Sequence, residues 1–251
     1  MRARLRIECG EFHFVWKLTV QAVLSVMVAY THLGSMLRSY PAACLGEYIV
    51  YSLTDYYYFL ALFPFLCLIW TSGRNNETHR YPVLIRYRTR NEFLYMRLLA
   101  KALFLLAALA VHVGALLAVG RSLPRVSGFV YVASENLTGI IARQLLNLFC
   151  YICVMYLLHE ILRSIVGNVM LDTLVTTLVS LLDLVVTKLM LSFVAAWTPW
   201  GHIAYRLFGS ERQNYRFYWL YWLFLLLLLF YAADLLNGRR DYVFEETRKS
   251  N

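Results

Sequence analysis

The sequence predicts an all-α integral membrane protein with six transmembrane helices and both termini in the cytoplasm. Three observations carry that expectation. Hydrophobic residues make up 60% of the 251 and charged residues only 16%, against about 25% charged in an ordinary soluble domain; the mean hydropathy is +0.55. The apolar runs are as long as a membrane demands, since crossing a hydrocarbon layer ~30 Å thick takes about 20 helical residues. The basic residues, finally, favour alternate connecting segments, as the positive-inside rule requires.

The six runs lie at about residues 12–32, 52–70, 96–119, 143–163, 167–192 and 217–236. The start, MRARLRIECGEF, offers no small-residue cleavage site, so the first run is expected to stay as a span rather than leave as a signal peptide. With the amino terminus inside, the cytoplasmic segments hold sixteen of the 24 basic residues and the outer ones eight. The net charge of +9 is explained by that topology without nucleic acid as a partner. Ahead of the first span, Phe12, Phe14, Val15 and Trp16 mixed with Glu11, His13 and Lys17 read either as an interfacial helix or as the aromatic belt and basic flank of that span.

Of the five cysteines only Cys44 falls in an outer segment, so no extracellular disulfide framework can be drawn. Cys150 and Cys153 sit inside the fourth span and read as small packing residues. Between the first two spans, residues 33–51 are expected outside, followed by Asp55 and the interface-anchoring run Tyr56, Tyr57, Tyr58. The connection between the fourth and fifth spans is short enough to force a tight antiparallel hairpin. The outer segment 193–216 contains Trp197, Pro199, Trp200 and Gly201, and predicts a re-entrant or interfacial helix before the last span.

The longest polar insert, Thr71 to Lys101, carries seven basic residues. Within it Pro82 suits the first turn of a helix, where its missing N–H would be unsatisfied anyway. A short cytoplasmic helix to about Thr89 would gather Val83, Leu84 and Tyr87 on one face, and Arg86 and Arg90, four apart, on another. Arg97 and Lys101 then mark the inner end of the third span, where long basic side chains are expected to snorkel to water.

The fifth span has Asp172, Thr176, Ser180, Asp183 and Thr187 at spacings that confine them to an arc of about 80°. Such a stripe must face other helices or a pathway, because ionisable groups in lipid are costly. It reads either as inter-helix hydrogen bonding, with Arg143, Gln144 and Asn147 of the fourth span, or as the lining of a substrate path. His159, Glu160 and Arg163 resemble the start of a zinc-protease helix but lack the second histidine, so no metal site is expected. His112 in the third span reads as a helix-packing residue. No phosphate-binding loop of the G-x-x-x-x-G-K-[ST] kind occurs, and no catalytic cluster marks the chain as an enzyme.

The layout of spans, the basic knob between the second and third, the inner hairpin and the structured outer segment together resemble the permease subunit of type-2 ABC exporters. The segment IRYRTRNEFLYMRLLAKAL, Ile85 to Leu103, is similar to the coupling helix and start of the third span in small bacterial permeases for bacteriocin or toxic-peptide export. The resemblance implies one permease domain in a bacterial cell membrane, acting as a homodimer with a cytoplasmic ATPase subunit that holds the ATP and Mg, so that this chain carries no cofactor. The coupling segment, about 71–95, would dock the ATPase through Pro82, Val83, Leu84, Arg86, Tyr87, Arg88 and Arg90. Amphipathic peptides or lipid-like molecules would be the cargo. A non-transporting scaffold or sensor whose basic insert grips anionic lipid is the alternative, since polybasic attraction supplies about 1 kcal/mol per residue.

Overall fold

In a computed structural model, all regular structure among the described residues is helical. Those residues are 14–41, 43–53, 55, 62–72, 90–123, 137–166, 169–189 and 218–239. The helices are α1 (Phe14–Ser39), α2 (Leu45–Leu53), α3 (Phe63–Ser72), α4 (Arg90–Val119), α5 (Leu137–Val166), α6 (Val169–Leu189) and α7 (Tyr218–Arg239), with a 3-10 turn at Gly120–Ser122.

Four helical stretches are long and apolar enough to cross a membrane: Phe14–Ser39, Asn91–Ser122, Ile141–Val166 and Leu220–Asn237. They match the first, third, fourth and sixth expected spans. Helix α6 runs through the fifth, and its side chains are described from Leu171 to Leu182. The outward faces are apolar, as lipid requires: Leu223, Phe224 and Leu227 on α7, Leu174 and Leu182 on α6, and Val23 and Met27 on α1 are all exposed. Polar groups go inward instead, and Gln21, Ser25, His112, Asp172 and Thr176 are wholly buried. A water-soluble fold would have the reverse arrangement.

The second expected span is not one continuous helix. The run breaks at Asp55, whose backbone amide makes a turn onto the Ser52 carbonyl at 3.3 Å and whose carboxylate lies 3.3 Å from His32. Leu62 is already helical and α3 follows from Phe63, residues 56–61 lying outside the described residues. The segment 33–51, expected outside, is largely helical. α1 continues to Ser39, stopping just before Tyr40 and Pro41, and α2 forms instead of a loop. Glu47 starts α2 by accepting the Cys44 backbone N–H at 2.9 Å, the N3-to-cap half of a capping box. The Tyr48 hydroxyl then fastens α2 to α1 through the Ala29 carbonyl at 2.7 Å.

The far end of α4 reaches α2 at Gly120. A Cβ there would fall 2.8 Å from Leu45 Cδ1 and 2.8 Å from the Tyr48 ring, which its hydrogen bond to Ala29 keeps in place. Gly120→Val is therefore expected to cost about 1–3 kcal/mol by overpacking, read as a lower thermal midpoint of the purified protein in detergent.

Residues 73–89, with Pro82, Val83, Leu84, Arg86, Tyr87 and Arg88, lie outside the described residues, as do the chain before residue 14, Tyr56 to Tyr58 and the segment 190–217. So do the side chains of Arg90, Asp183 and Thr187.

Candidate functional site

The ends of α3, α5 and α7 meet the starts of α1, α4 and α6 at one end of the bundle, and a charge cluster is buried there. On α4, Arg97 and Lys101 are four apart and share a face, about 10 and 16 Å along the helix from Arg90. Both turn inward. Lys101 is fully buried and Arg97 only 4% exposed, so neither snorkels to water as their position suggested. The reason is Glu160 on α5, itself 5% exposed. Its Oε1 accepts from Lys101 Nζ at 2.6 Å and lies 3.3 Å from Arg97 Nε. In a medium of low dielectric, leaving a carboxylate that has two cations in contact costs far more than straightening a side chain gains.

The cluster extends to four neighbours. His159 Nδ1 lies 4.0 Å from the same carboxylate oxygen, and His159 Nε2 meets the Thr173 hydroxyl of α6 at 3.3 Å. Lys101 Nζ sits 5.3 Å over the ring of Tyr156, a cation–π contact. The buried Tyr156 hydroxyl donates to the Cys67 carbonyl of α3 at 3.4 Å. Thr71 Oγ1 bonds back to the Cys67 carbonyl at 2.7 Å, and Lys17 Nζ of α1 takes the Trp70 carbonyl, one of the last four that a helix end leaves open. On the other side of α4, Tyr95 donates to Asp234 of α7 at 2.6 Å, and the Asn237 side-chain amide donates to Asn91 Oδ1 at 3.3 Å.

The predicted polar stripe on α6 is partly assembled. Asp172 and Thr176 are fully buried, and Thr176 Oγ1 bonds back to the Asp172 carbonyl at 2.7 Å. Ser180 meets the Tyr151 hydroxyl at 2.5 Å and Met155 Sδ at 3.7 Å. The contacts 159 to 173 and 151 to 180 run in opposite directions, so α5 and α6 are the antiparallel pair the short connection implied, and Asp172 sits at the level of Glu160. Within the described part of the stripe, Tyr151 is the α5 residue that takes Ser180, while the partners expected on the fourth span, Arg143, Gln144 and Asn147, stand at the level of Asp183 and Thr187, whose side chains lie outside the described residues. Gln144 donates to the Leu53 carbonyl of α2 at 3.3 Å, Asn147 is buried, and Arg143 is exposed.

A second polar group joins α1 to α4. His112 Nδ1 lies 3.1 Å from Ser25 Oγ, which accepts from Gln21 Nε2 at 2.9 Å, and the His112 ring packs on Phe63. The helix-packing role read for His112 thus rests on a hydrogen bond as well as on volume. His112→Leu keeps the volume but strands a buried hydroxyl. It is expected to cost about 1–3 kcal/mol, measured as loss of thermal stability, with His112→Gln retaining more of it.

The sequence did hold a signal for the buried cluster. Two cations four apart in the first half of one apolar helix face a lone acid in the last third of another, and antiparallel neighbours bring those levels together. No protein-family model, curated protein or solved structure matches the chain.

Proposed function

We propose that the chain is the transmembrane subunit of an ATP-driven exporter of the type-2 ABC class, moving amphipathic or hydrophobic cargo, peptide or lipid-like, with ATP hydrolysed by a separate cytoplasmic subunit. In this reading six spans cross a bacterial cell membrane, both termini are cytoplasmic, and two copies work as a pair. Pro82, Val83, Leu84, Arg86, Tyr87, Arg88 and Arg90 receive the ATPase, and the stripe from Asp172 to Thr187 borders the cargo path.

The observation that supports this reading best is the construction of α4. It runs unbroken from Arg90, the last of the named docking residues, to Val119, and its first turns are fixed to α5 by the Arg97 and Lys101 contacts with Glu160. A force applied at Arg90 is thereby delivered into the bundle rather than absorbed in a loop. The same contacts weigh against a simple lipid-gripping segment. Two of the seven basic residues in 71–101 are spent on a buried carboxylate and contribute nothing to surface attraction.

The test is purification from the native membrane under mild detergent. A soluble subunit with a phosphate-binding loop and measurable ATP hydrolysis is expected to travel with the chain. Leu84→Glu and Tyr87→Asp are expected to abolish that association while the permease remains monodisperse. If the chain purifies without an ATPase, and those substitutions alter only its binding to anionic liposomes, the lipid-gripping scaffold is the better reading.

A further inference from the structure

We propose that one turn of α5, Tyr156 to Glu160, is a transmission node that fastens both helices flanking residues 73–89 to the α5–α6 hairpin. The proposal rests on the exporter reading, in which those residues receive the ATPase, and it names the side chains that carry the motion onward.

The two flanks arrive at the same turn by different bonds. α3, which ends at Ser72, is held by the Tyr156 hydroxyl on the Cys67 carbonyl at 3.4 Å. α4, which begins at Arg90, is held by Glu160 through Lys101 at 2.6 Å and Arg97 at 3.3 Å. A single ammonium joins the two grips, because Lys101 Nζ lies between the Tyr156 ring, 5.3 Å away, and the Glu160 carboxylate. Between these two residues, His159 reaches Thr173 of α6 at 3.3 Å, so the hairpin partner is tied to the same turn.

The chemistry explains why such a node would move as a unit. Lys101 and Glu160 are both sealed from solvent, and neither charge can be left behind in a low-dielectric interior without losing the attraction that offsets its desolvation. α4 therefore drags α5 with it, where an apolar contact would let the two helices slide. Packed interfaces of this kind hold one discrete arrangement or another and do not deform gradually. Lys101 and Glu160 are thus positioning residues, acting through the helices they join.

The node is tested on the full chain in lipid nanodiscs, with cysteines replaced and spin labels placed at exposed sites. The pair Ile69 and Ile165 reads α3 against α5, and Leu106 and Ile165 reads α4 against α5. Val26 and Leu106, across α1 and α4, serve as the control, and all four positions are exposed. Each pair is expected to give one narrow distance in the otherwise unaltered chain.

Lys101→Met keeps the Arg97–Glu160 pair and so keeps the fold. It is expected to lose the narrow peak in both flank pairs and to retain it in the control. Glu160→Gln is expected to do the same, and the exchange Lys101→Glu with Glu160→Lys to restore the α4–α5 peak, which a merely space-filling role would not. Narrow flank distances in Lys101→Met, or equal broadening of the control pair, would overturn the node. None of these measurements requires the ATPase, so failure to co-purify one overturns the exporter reading alone.

Discussion

Replacing Glu160 by alanine is expected to lower the stability of the protein by about 3–5 kcal/mol, the usual cost of removing one partner from a buried ion pair. The magnitude follows from what stays behind. Arg97 and Lys101 are 4% and 0% exposed, and both point at the carboxylate that the substitution deletes. Neither reaches water without unpacking α4 from α5. Unfolding titration in mixed micelles gives the measurement, and the informative comparison is the triple replacement of Arg97, Lys101 and Glu160 by methionine. Exchanging a whole buried ionic set for apolar side chains of similar volume is often neutral or stabilising. The triple variant is therefore expected to be more stable than Glu160→Ala although it removes three charged side chains instead of one. A Glu160→Ala loss under 1 kcal/mol would mean that water reaches the cluster.

Tyr156→Ala is expected to be nearly as severe, about 3–5 kcal/mol for emptying a large aromatic site in a core that cannot collapse around it. Tyr156 is buried against the main apolar core, and its ring and hydroxyl have separate tasks. The ring underlies the Lys101 ammonium at 5.3 Å, and the hydroxyl donates to the Cys67 carbonyl at 3.4 Å. Tyr156→Phe separates them. It keeps the ring and deletes one long hydrogen bond, and is expected to cost only about 1 kcal/mol. Similar losses for the two variants would shift the weight from packing to the α3 carbonyl.

The spans were largely legible because their signal is local. Length and hydropathy are read along one helix, and lipid leaves the backbone no alternative but to satisfy itself within it. This is why Phe14–Ser39, Ile141–Val166 and Tyr218–Arg239 overlay three of the expected runs closely. The second run departs from expectation at Asp55 for an equally physical reason. Hydropathy averages over its window, and one Asp55 among aromatic neighbours barely lowers the mean, yet its carboxylate finds His32 and the helix breaks around it. Residues 33–51 misled in the opposite sense. Glu47 and Gly46 look like loop chemistry, but both lie in the first turn of α2, where Glu47 at N3 accepts the N–H of the cap residue Cys44.

The candidate site shows the same division. The stripe on α6 could be drawn from spacing alone, and Asp172 and Thr176 are indeed buried. That Tyr151 takes Ser180 could not be drawn that way, since it depends on the rotation of α5 about its own axis, which no single helix records. Arg97 and Lys101 illustrate the limit most clearly. A basic side chain near a helix end snorkels by default, and only a carboxylate delivered from another helix reverses that preference.

By itself, then, the sequence determined that this chain forms helices long and apolar enough to cross a membrane, roughly where they run, and which faces carry polar groups, because these follow from hydrophobicity and the 3.6-residue period. The tertiary structure alone decided that the cations of α4 are committed to Glu160, that His159 serves α6, and that both flanks of residues 73–89 converge on one turn of α5. Those are distances between segments far apart in the chain, and electrostatic cost in a dry interior is set by such distances.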